Sequence, residues 1–311
     1  MILLGGSYPP NVAVLWDEKK RAVQFRLKFR SEVIRAFMRV EICAVALSDV
    51  LHLFELRQGA KELPLIKTYH LNTHCPGVFA MSTAGDPIVA FPSVRKGEVV
   101  VANVTTSETA VVSAHADHIA ALCLSSIGNV LCTASKEGRY IKIFDVVSGS
   151  LLFRLYRGFQ RADIPSLCLH SSGNWLVFAA STGTCHIFDL RSHGNHGRGN
   201  QNRSKGAVWK TASNLVTGKK FNRHYASFSV VERSPVSFYA VCCFAEGNGV
   251  GKGDGKGTGT EGDHYSKEAH TLLSKYPPPI HVASADGTFY DCVFDAVNRS
   301  YACVGAYRFD L

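Results

Sequence analysis

Short apolar segments separated by turn residues recur along the whole chain. In the clearest case, residues 131–135 lead through Gly138 into residues 141–145, which end in an aromatic–acid pair. The same pattern returns about 44 residues later at 176–189, and again at 281–290. Earlier copies are 12–17, 50–55 and a weaker 99–103. Because no segment keeps a helical period for long, the pattern predicts an all-β protein.

A period of 40–45 residues with four strands per unit is typical of WD40-type β-propellers. Residues 2–29 supply three strands of a first unit that lacks its inner strand. Five further units are predicted, at about 33–72, 77–114, 118–158, 164–231 and 237–311. We therefore expect one propeller domain over residues 1–311, with about six blades where families of this period usually close with seven. Either the chain lacks an N-terminal blade or it closes as an irregular six-bladed ring.

The composition favours a reduced, soluble, intracellular protein. Of its 311 residues 46% are hydrophobic and 19% charged, so it can bury a large core and global disorder is excluded. The ten cysteines form no C-x-x-C pair, and neither a signal peptide nor an apolar run of about 18 residues is present. No nucleotide-binding, metalloprotease or nucleophile-elbow motif occurs. We expect no enzyme activity, cofactor, metal or small-molecule substrate.

The net charge of +9 is concentrated in one segment. Residues 190–231 hold eight Lys and Arg and no Asp or Glu, and 190–222 is predicted to be a basic loop inserted in the domain. Trp209 and short apolar groups interrupt its polar composition. Residues 247–275 are rich in glycine and predicted to form a second, flexible inserted loop.

Five stretches of the sequence resemble one known family. They are Gly5–Asn11 with Trp16-Asp17, residues 115–138, Leu155-Tyr156-Arg157-Gly158 with 161–164, residues 183–188, and residues 285–290. In this order they resemble the PROPPINs (the WIPI proteins of animals), and most closely the branch with a P-P-N…W-D second blade. The resemblance implies a seven-bladed propeller that binds phosphatidylinositol 3-phosphate or its 3,5-bisphosphate in autophagy. It also implies that the N-terminal blade of the family is missing from this chain.

The resemblance also implies two headgroup pockets around the signature Leu-Arg-Arg-Gly. Successive strand residues point to opposite faces, so each arginine of the signature serves a different pocket. Here the first arginine is replaced by Tyr156 and the second is kept as Arg157. The implied phosphoinositide site comprises Arg157, Ser181, Gly183, Thr184 and His186. The second and weaker pocket comprises His115, Thr133, Ser135 and Tyr156, with Arg154 as a partial substitute for the lost arginine.

The family carries a membrane-inserting loop where this chain has its basic loop. The membrane-facing residues are then Lys205, Val208, Trp209, Lys210, Leu215, Lys219 and Lys220. Basic residues favour an anionic leaflet and tryptophan favours the headgroup interface. The implied location is cytoplasmic, peripheral on autophagosomal-precursor and endosomal or vacuolar membranes, with autophagy proteins as partners, a lipid-transfer protein among them. Two alternatives remain: a protein-interaction propeller whose lipid sites have decayed and, ranked lower, a nucleic-acid-binding scaffold.

Overall fold

The computed structural model describes residues 2–4, 9–57, 60–191, 226–229, 240–244, 277–285, 287–295 and 300–308. These residues contain twenty-three β-strands and no α-helix. The chain divides into two compact units, Met1–Arg154 and Leu155–Leu311. The division falls inside a strand, and the two units are described separately below.

In the first unit, strands that are consecutive in sequence pair antiparallel in sheets. The first sheet has three strands, β1 (Ile2–Leu4), β2 (Val12–Asp17) and β3 (Ala22–Lys28). The second has β4 (Arg35–Met38), β5 (Ile42–Ala46), β6 (Val50–Glu55) and β7 (Leu65–His70). The third has β8 (Ala80–Met81), β9 (Ile88–Pro92), β10 (Glu98–Asn103) and β11 (Thr109–Ser113). The fourth has β12 (Ile119–Leu124), β13 (Val130–Ser135), β14 (Tyr140–Asp145) and β15 (Leu151–Tyr156), whose end belongs to the second unit.

The second unit adds two four-stranded sheets of the same order. One contains β16 (Ser166–Leu169), β17 (Trp175–Ala180), β18 (Thr184–Asp189) and β19 (Ala226–Ser229). The other contains β20 (Ala240–Phe244), β21 (Ile280–Ser284), β22 (Thr288–Asp295) and β23 (Ser300–Arg308).

Burial differs systematically between strands of one sheet. Every residue of β5, β13 and β17, the second strands of their sheets, is buried. Strands covered on both faces read as continuous apolar runs, which explains segments such as Trp175–Ala180. In β15, by contrast, only Leu152 and Leu155 are buried, and the other four residues are partly or fully exposed.

Sheets that follow each other in sequence share hydrophobic cores within each unit. In the first unit, Leu53 of β6 and Phe91 of β9 belong to one buried cluster, and Val101 of β10 and Leu131 of β13 to the next. In the second unit, Trp175 and Ile187 pack in one cluster with Ile280 and Cys292. Because a single sheet cannot cover both of its faces, this sequential stacking supplies the core.

The all-β prediction is confirmed by these residues. The repeat at 131–145 corresponds to β13 and β14, and the repeat at 176–189 to β17 and β18. The first sheet has three strands and the five later sheets have four each, in agreement with the strand segments predicted from the sequence. The blade number and the single domain over 1–311 stay predictions.

Candidate functional site

Arg157 lies directly after β15, where the strand turns away. Its side chain is partly buried, and burial lowers the pKa of the guanidinium. An arginine nevertheless keeps its charge at any physiological pH. The guanidinium donates a hydrogen bond from Nη2 to the carbonyl oxygen of Gln160, which folds the side chain along residues 158–160.

The segment that follows Arg157 is fixed to the turn between β17 and β18 by two hydrogen bonds. The Asp163 amide donates to Ser181 Oγ at 3.0 Å, and the Ser181 amide donates to the Asp163 carbonyl oxygen at 2.9 Å. Gly183 closes this turn with a φ of 80°, a left-handed conformation that favours glycine. The structure thus brings Ser181 and Gly183 to the segment that begins with Arg157.

A row of neutral polar groups extends from this turn along β18. Thr182 Oγ1 lies 2.9 Å from Thr184 Oγ1, which lies 3.0 Å from His186 Nε2. Thr184 and His186 are two residues apart in β18 and so share one face of the strand, whereas Thr182 belongs to the turn before it. His186 is only 7% exposed, and its ring stacks on Phe178 with 5.0 Å between centroids. Hydroxyls and an imidazole held in one row can donate to an anionic ligand.

The residues of the predicted weaker pocket lie in the first unit, apart from Tyr156. His115 and Ser135 line a cleft of about 400 Å³, and His115 Nε2 lies 3.0 Å from the hydroxyl of the buried Thr133. Burial, together with the nearby Lys142 charge, lowers the pKa of His115 to about 4. His115 is therefore a neutral donor or acceptor at pH 7. Tyr156 follows the unit boundary and is not one of the residues that line this cleft.

Basic side chains dominate the same cleft. It is lined by four cationic side chains and two carboxylates, which are Lys96, Arg139, Lys142, Arg154, Asp117 and Glu137. Lys96 Nζ pairs with Asp117 Oδ1 at 3.0 Å. Tyr140 completes the wall, and the Arg154 guanidinium lies 4.0 Å from the centroid of its ring. We call this set of residues the basic cleft.

Most of these cations are absent from the sequence-based prediction, which names only Arg154. Lys142 carries a sequence signal, since it is a polar residue between buried Ile141 and Ile143 and must face away from that core. Lys96 and Arg139 belong to turns, where basic residues are common and carry no such signal. Thr182, which the sequence-based prediction does not name, joins the row along β18.

The predicted membrane-facing residues lie outside the residues that the structure describes. They are Lys205, Val208, Trp209, Lys210, Leu215, Lys219 and Lys220. The glycine-rich segment 247–275 lies outside them as well.

Comparison with known proteins decides the family. The family model described as PROPPIN matches residues 13–219, well over half of the chain. The chain belongs to the PROPPIN family. The family named from the sequence motifs is thereby confirmed, and the matched region covers both the basic cleft and the row along β18.

Curated relatives of this PROPPIN include SVP1-like and autophagy-related proteins. It is 30% identical over 208 residues to SVP1-like protein 2 of Emericella nidulans, covering 66% of this chain and 64% of that protein. It is 29% identical over 185 residues to Autophagy-related protein 18e of Arabidopsis thaliana, covering 60% and 49%. The chain thus spans about half to two thirds of the length of these relatives.

Solved PROPPIN structures show the same fold. Hsv2 of Kluyveromyces marxianus superposes with a TM-score of 0.65 at 14% identity, over 100% of this chain and 82% of that one. The complex of KlAtg21 with the coiled-coil of AgAtg16 gives a TM-score of 0.65 at 18% identity, over 99% and 81%. The β-propeller prediction is therefore confirmed. In the described parts of this PROPPIN, no helix has the length and hydropathy needed to cross a bilayer.

Proposed function

We propose that this PROPPIN binds phosphoinositide headgroups, phosphatidylinositol 3-phosphate or its 3,5-bisphosphate, and acts as a membrane-recruited scaffold in autophagy. The observation that carries the proposal is the arrangement around Arg157. An arginine that keeps its charge begins a segment fixed by two hydrogen bonds to the turn that opens the row of Thr182, Thr184 and His186.

This arrangement suits a phosphate on a sugar ring. A guanidinium binds phosphate through two parallel charge-assisted hydrogen bonds, and such bonds are about twice as strong as neutral ones. Hydroxyl and imidazole groups then fit the remaining phosphate and ring oxygens, because each can donate or accept. In this proposal Arg157 supplies the charged contact to the phosphate. The neutral contacts come from Ser181, Gly183, Thr184 and His186.

The test is flotation of the purified chain with vesicles that contain phosphatidylinositol 3-phosphate. Arg157→Ala removes the charged group that would bind the phosphate. We expect the affinity for these vesicles to fall about tenfold or more, and the bound fraction to fall with it. The matched control is Arg26→Ala, which removes an equal charge from exposed β3 in the first unit. Arg26→Ala should bind as the wild type does. Equal binding by Arg157→Ala and Arg26→Ala would contradict the proposed site.

The basic loop supplies a second attachment. Lys205, Lys210, Lys219 and Lys220 would each contribute about 1 kcal/mol near an anionic leaflet, while Trp209 would favour its interface. Two attachments on one surface raise the overall avidity above that of either alone. We propose this role on the loop's composition and on its position after β18.

The partners we propose are phosphoinositide-containing membranes and autophagy proteins. Relatives named as autophagy-related proteins support this, as does the neighbouring structure of KlAtg21 with a coiled-coil of AgAtg16. A lipid-transfer partner is proposed on the P-P-N…W-D motif in residues 9–17. Autophagosomal-precursor and endosomal or vacuolar membranes are the expected location. A protein scaffold with decayed lipid sites is the alternative that the flotation experiment addresses, since it predicts no lipid dependence.

A further inference from the structure

Two cysteines face each other across the last pair of strands in the second unit. Cys292 of β22 and Cys303 of β23 are directly opposite residues in the antiparallel ladder. Opposite residues of such a ladder have Cα atoms about 4.5–5.5 Å apart, and a disulfide bond spans Cα distances of about 4.4–6.8 Å. The backbone pairing therefore holds these two residues at a separation that a disulfide bond fits.

The two thiols differ in their access to solvent. Cys303 is exposed, whereas Cys292 is only 1% exposed and belongs to the hydrophobic core of the unit. The Cys303 thiol donates to the carbonyl oxygen of Gly305 at 3.2 Å. Burial, followed by the electrostatic interaction and the hydrogen bond with Cys303, raises the pKa of Cys292 to about 12. Cys292 therefore keeps its proton at neutral pH, and Cys303 is the thiol that a dissolved oxidant reaches first.

The outer strand β23 has room for the small shift that bond formation needs. Within the described residues it is the last strand of its sheet and pairs with β22 alone. A β-bulge lies beside the cysteines, because Asp291 pairs with Gly305 and Val304 is the extra residue of β23. Opposite Cβ atoms are about 4.5–5.5 Å apart in a ladder and about 3.5–4.5 Å apart in a disulfide, so the strands must approach by about 1 Å. An outer strand interrupted by a bulge makes that approach without disturbing a second neighbour.

The other cysteines of the chain lack this combination of exposure and an opposed thiol. Cys243 is also exposed, but it lies opposite His281, and its neighbour Cys242 is buried in the core. Cys123 lies opposite Cys132, but Cys132 is fully buried in β13, which is paired along both edges. The pair on β22 and β23 is thus the one that joins an exposed thiol to a cross-strand partner at an outer strand.

We propose that Cys303 and Cys292 form a modification site at which hydrogen peroxide generates a reversible disulfide bond. The Cys303 thiol gives up its proton, its sulfur attacks a peroxide oxygen, and the O–O bond breaks, which yields one water and a sulfenic acid on Cys303. The Cys292 sulfur then attacks the Cys303 sulfur, the S–O bond breaks, and the hydroxyl group leaves with the Cys292 proton as a second water. The two thiols lose two electrons in all, and the peroxide takes them up. A reducing thiol reverses the modification by exchange.

The test treats the reduced full chain with hydrogen peroxide at neutral pH, blocks the remaining thiols with N-ethylmaleimide, and maps the peptides by mass spectrometry. We expect a peptide in which residues 292 and 303 are joined, lighter by two hydrogen atoms than the two reduced segments together. Treatment with dithiothreitol before blocking should remove this joined peptide, because thiol exchange opens the bond.

Three variants assign the roles of the two thiols. Cys303→Ser removes the thiol that peroxide reaches and should form no bond at residue 292. Cys292→Ala keeps that thiol without its partner, so dimedone should label a sulfenic acid on Cys303 more strongly than in the wild type. Cys243→Ser is the matched control: it removes the other exposed thiol and should form the bond as the wild type does. Melting temperatures show whether each variant is folded, and Cys303→Ser carries the test if Cys292→Ala is not.

A joined peptide in the folded wild type and in Cys243→Ser, absent from Cys303→Ser, supports the proposal. The proposal is wrong if Cys303 is recovered only as a free thiol or a sulfenic acid. It is equally wrong if Cys303 joins two copies of the chain, or if a bond between Cys123 and Cys132 forms in its place. Every measurement is made without lipid, so these outcomes are independent of the proposed headgroup site.

Discussion

At the scale of single residues, the chain carries one of the two adjacent arginines of the signature that it resembles. Arg157 keeps the position that the family signature assigns to it, while Tyr156 removes the neighbouring charge from the same strand. Arg154 lies two residues earlier, and side chains two residues apart along a strand point to the same face.

His115 makes the stability of the chain depend on pH. Burial and the nearby Lys142 and Arg154 charges lower its folded-state pKa to about 4, against 6.5 for an unperturbed histidine, despite the opposing effects of Thr133 and Asp117. Between pH 6.5 and 4 the unfolded chain takes up a proton at this residue and the folded chain does not, so stability falls as the pH is lowered. The contribution is at most about 3 kcal/mol.

The prediction is tested by measuring the free energy of unfolding in urea for the wild type and for His115→Gln, at pH 7 and at pH 4.5. Glutamine keeps a donor and an acceptor but does not titrate, so the loss of stability on acidification should be smaller in the variant. Because both proteins share every other titrating group, the difference reports on His115. An identical loss in both proteins would show that the imidazole is not held neutral.

At the scale of elements, the turn before β10 supports the cleft wall. Gly97 has a φ of 77°, and its carbonyl oxygen accepts hydrogen bonds from the Ala114 and His115 amides at 2.9 and 3.0 Å. A Cβ at this position would lie 1.7 Å from the His115 carbonyl oxygen. The backbone that carries His115 therefore requires glycine here.

Gly97→Ala should be much more destabilising than Gly149→Ala. Gly149 has a similar φ of 66°, but a Cβ there meets no atom within 4 Å, so its substitution costs only the left-handed strain of about 1–2 kcal/mol. The clash at Gly97 adds at least about 2 kcal/mol, since backbone on backbone cannot move aside cheaply. Thermal unfolding of the two variants measures the difference. Equal melting temperatures would contradict the packing at this turn.

The strands were predictable from sequence to a greater extent than the site. β13, β14, β17 and β18 each combine an apolar run with a glycine turn or an aromatic–acid end, and local pattern is enough to find them. The row of Thr184 and His186 follows from strand alternation alone. The basic cleft does not, because Lys96 and Arg154 are far apart in sequence and meet only through the stacking of the third and fourth sheets. Contacts of that kind depend on tertiary packing that no local pattern contains.

At the scale of the whole molecule, attraction by the net charge of +9 and binding at the proposed headgroup site should respond differently to salt. We expect the basic segment 190–222 to be attracted to any anionic surface, and added salt should weaken that attraction, since charges are screened beyond a Debye length of about 8–10 Å. A headgroup held by charge-assisted hydrogen bonds in a pocket is screened much less. Selectivity at elevated salt therefore separates specific recognition from general attraction.

The most direct measurement is flotation of the wild-type chain on vesicles containing phosphatidylinositol 3-phosphate and on vesicles with an equal charge of phosphatidylserine, at low and at elevated salt. We predict that binding to the phosphoinositide vesicles exceeds binding to phosphatidylserine at both salt concentrations, and that the ratio increases with salt. Equal binding to both vesicles, lost in parallel as salt rises, would contradict headgroup recognition and leave only the electrostatic attraction of the loop.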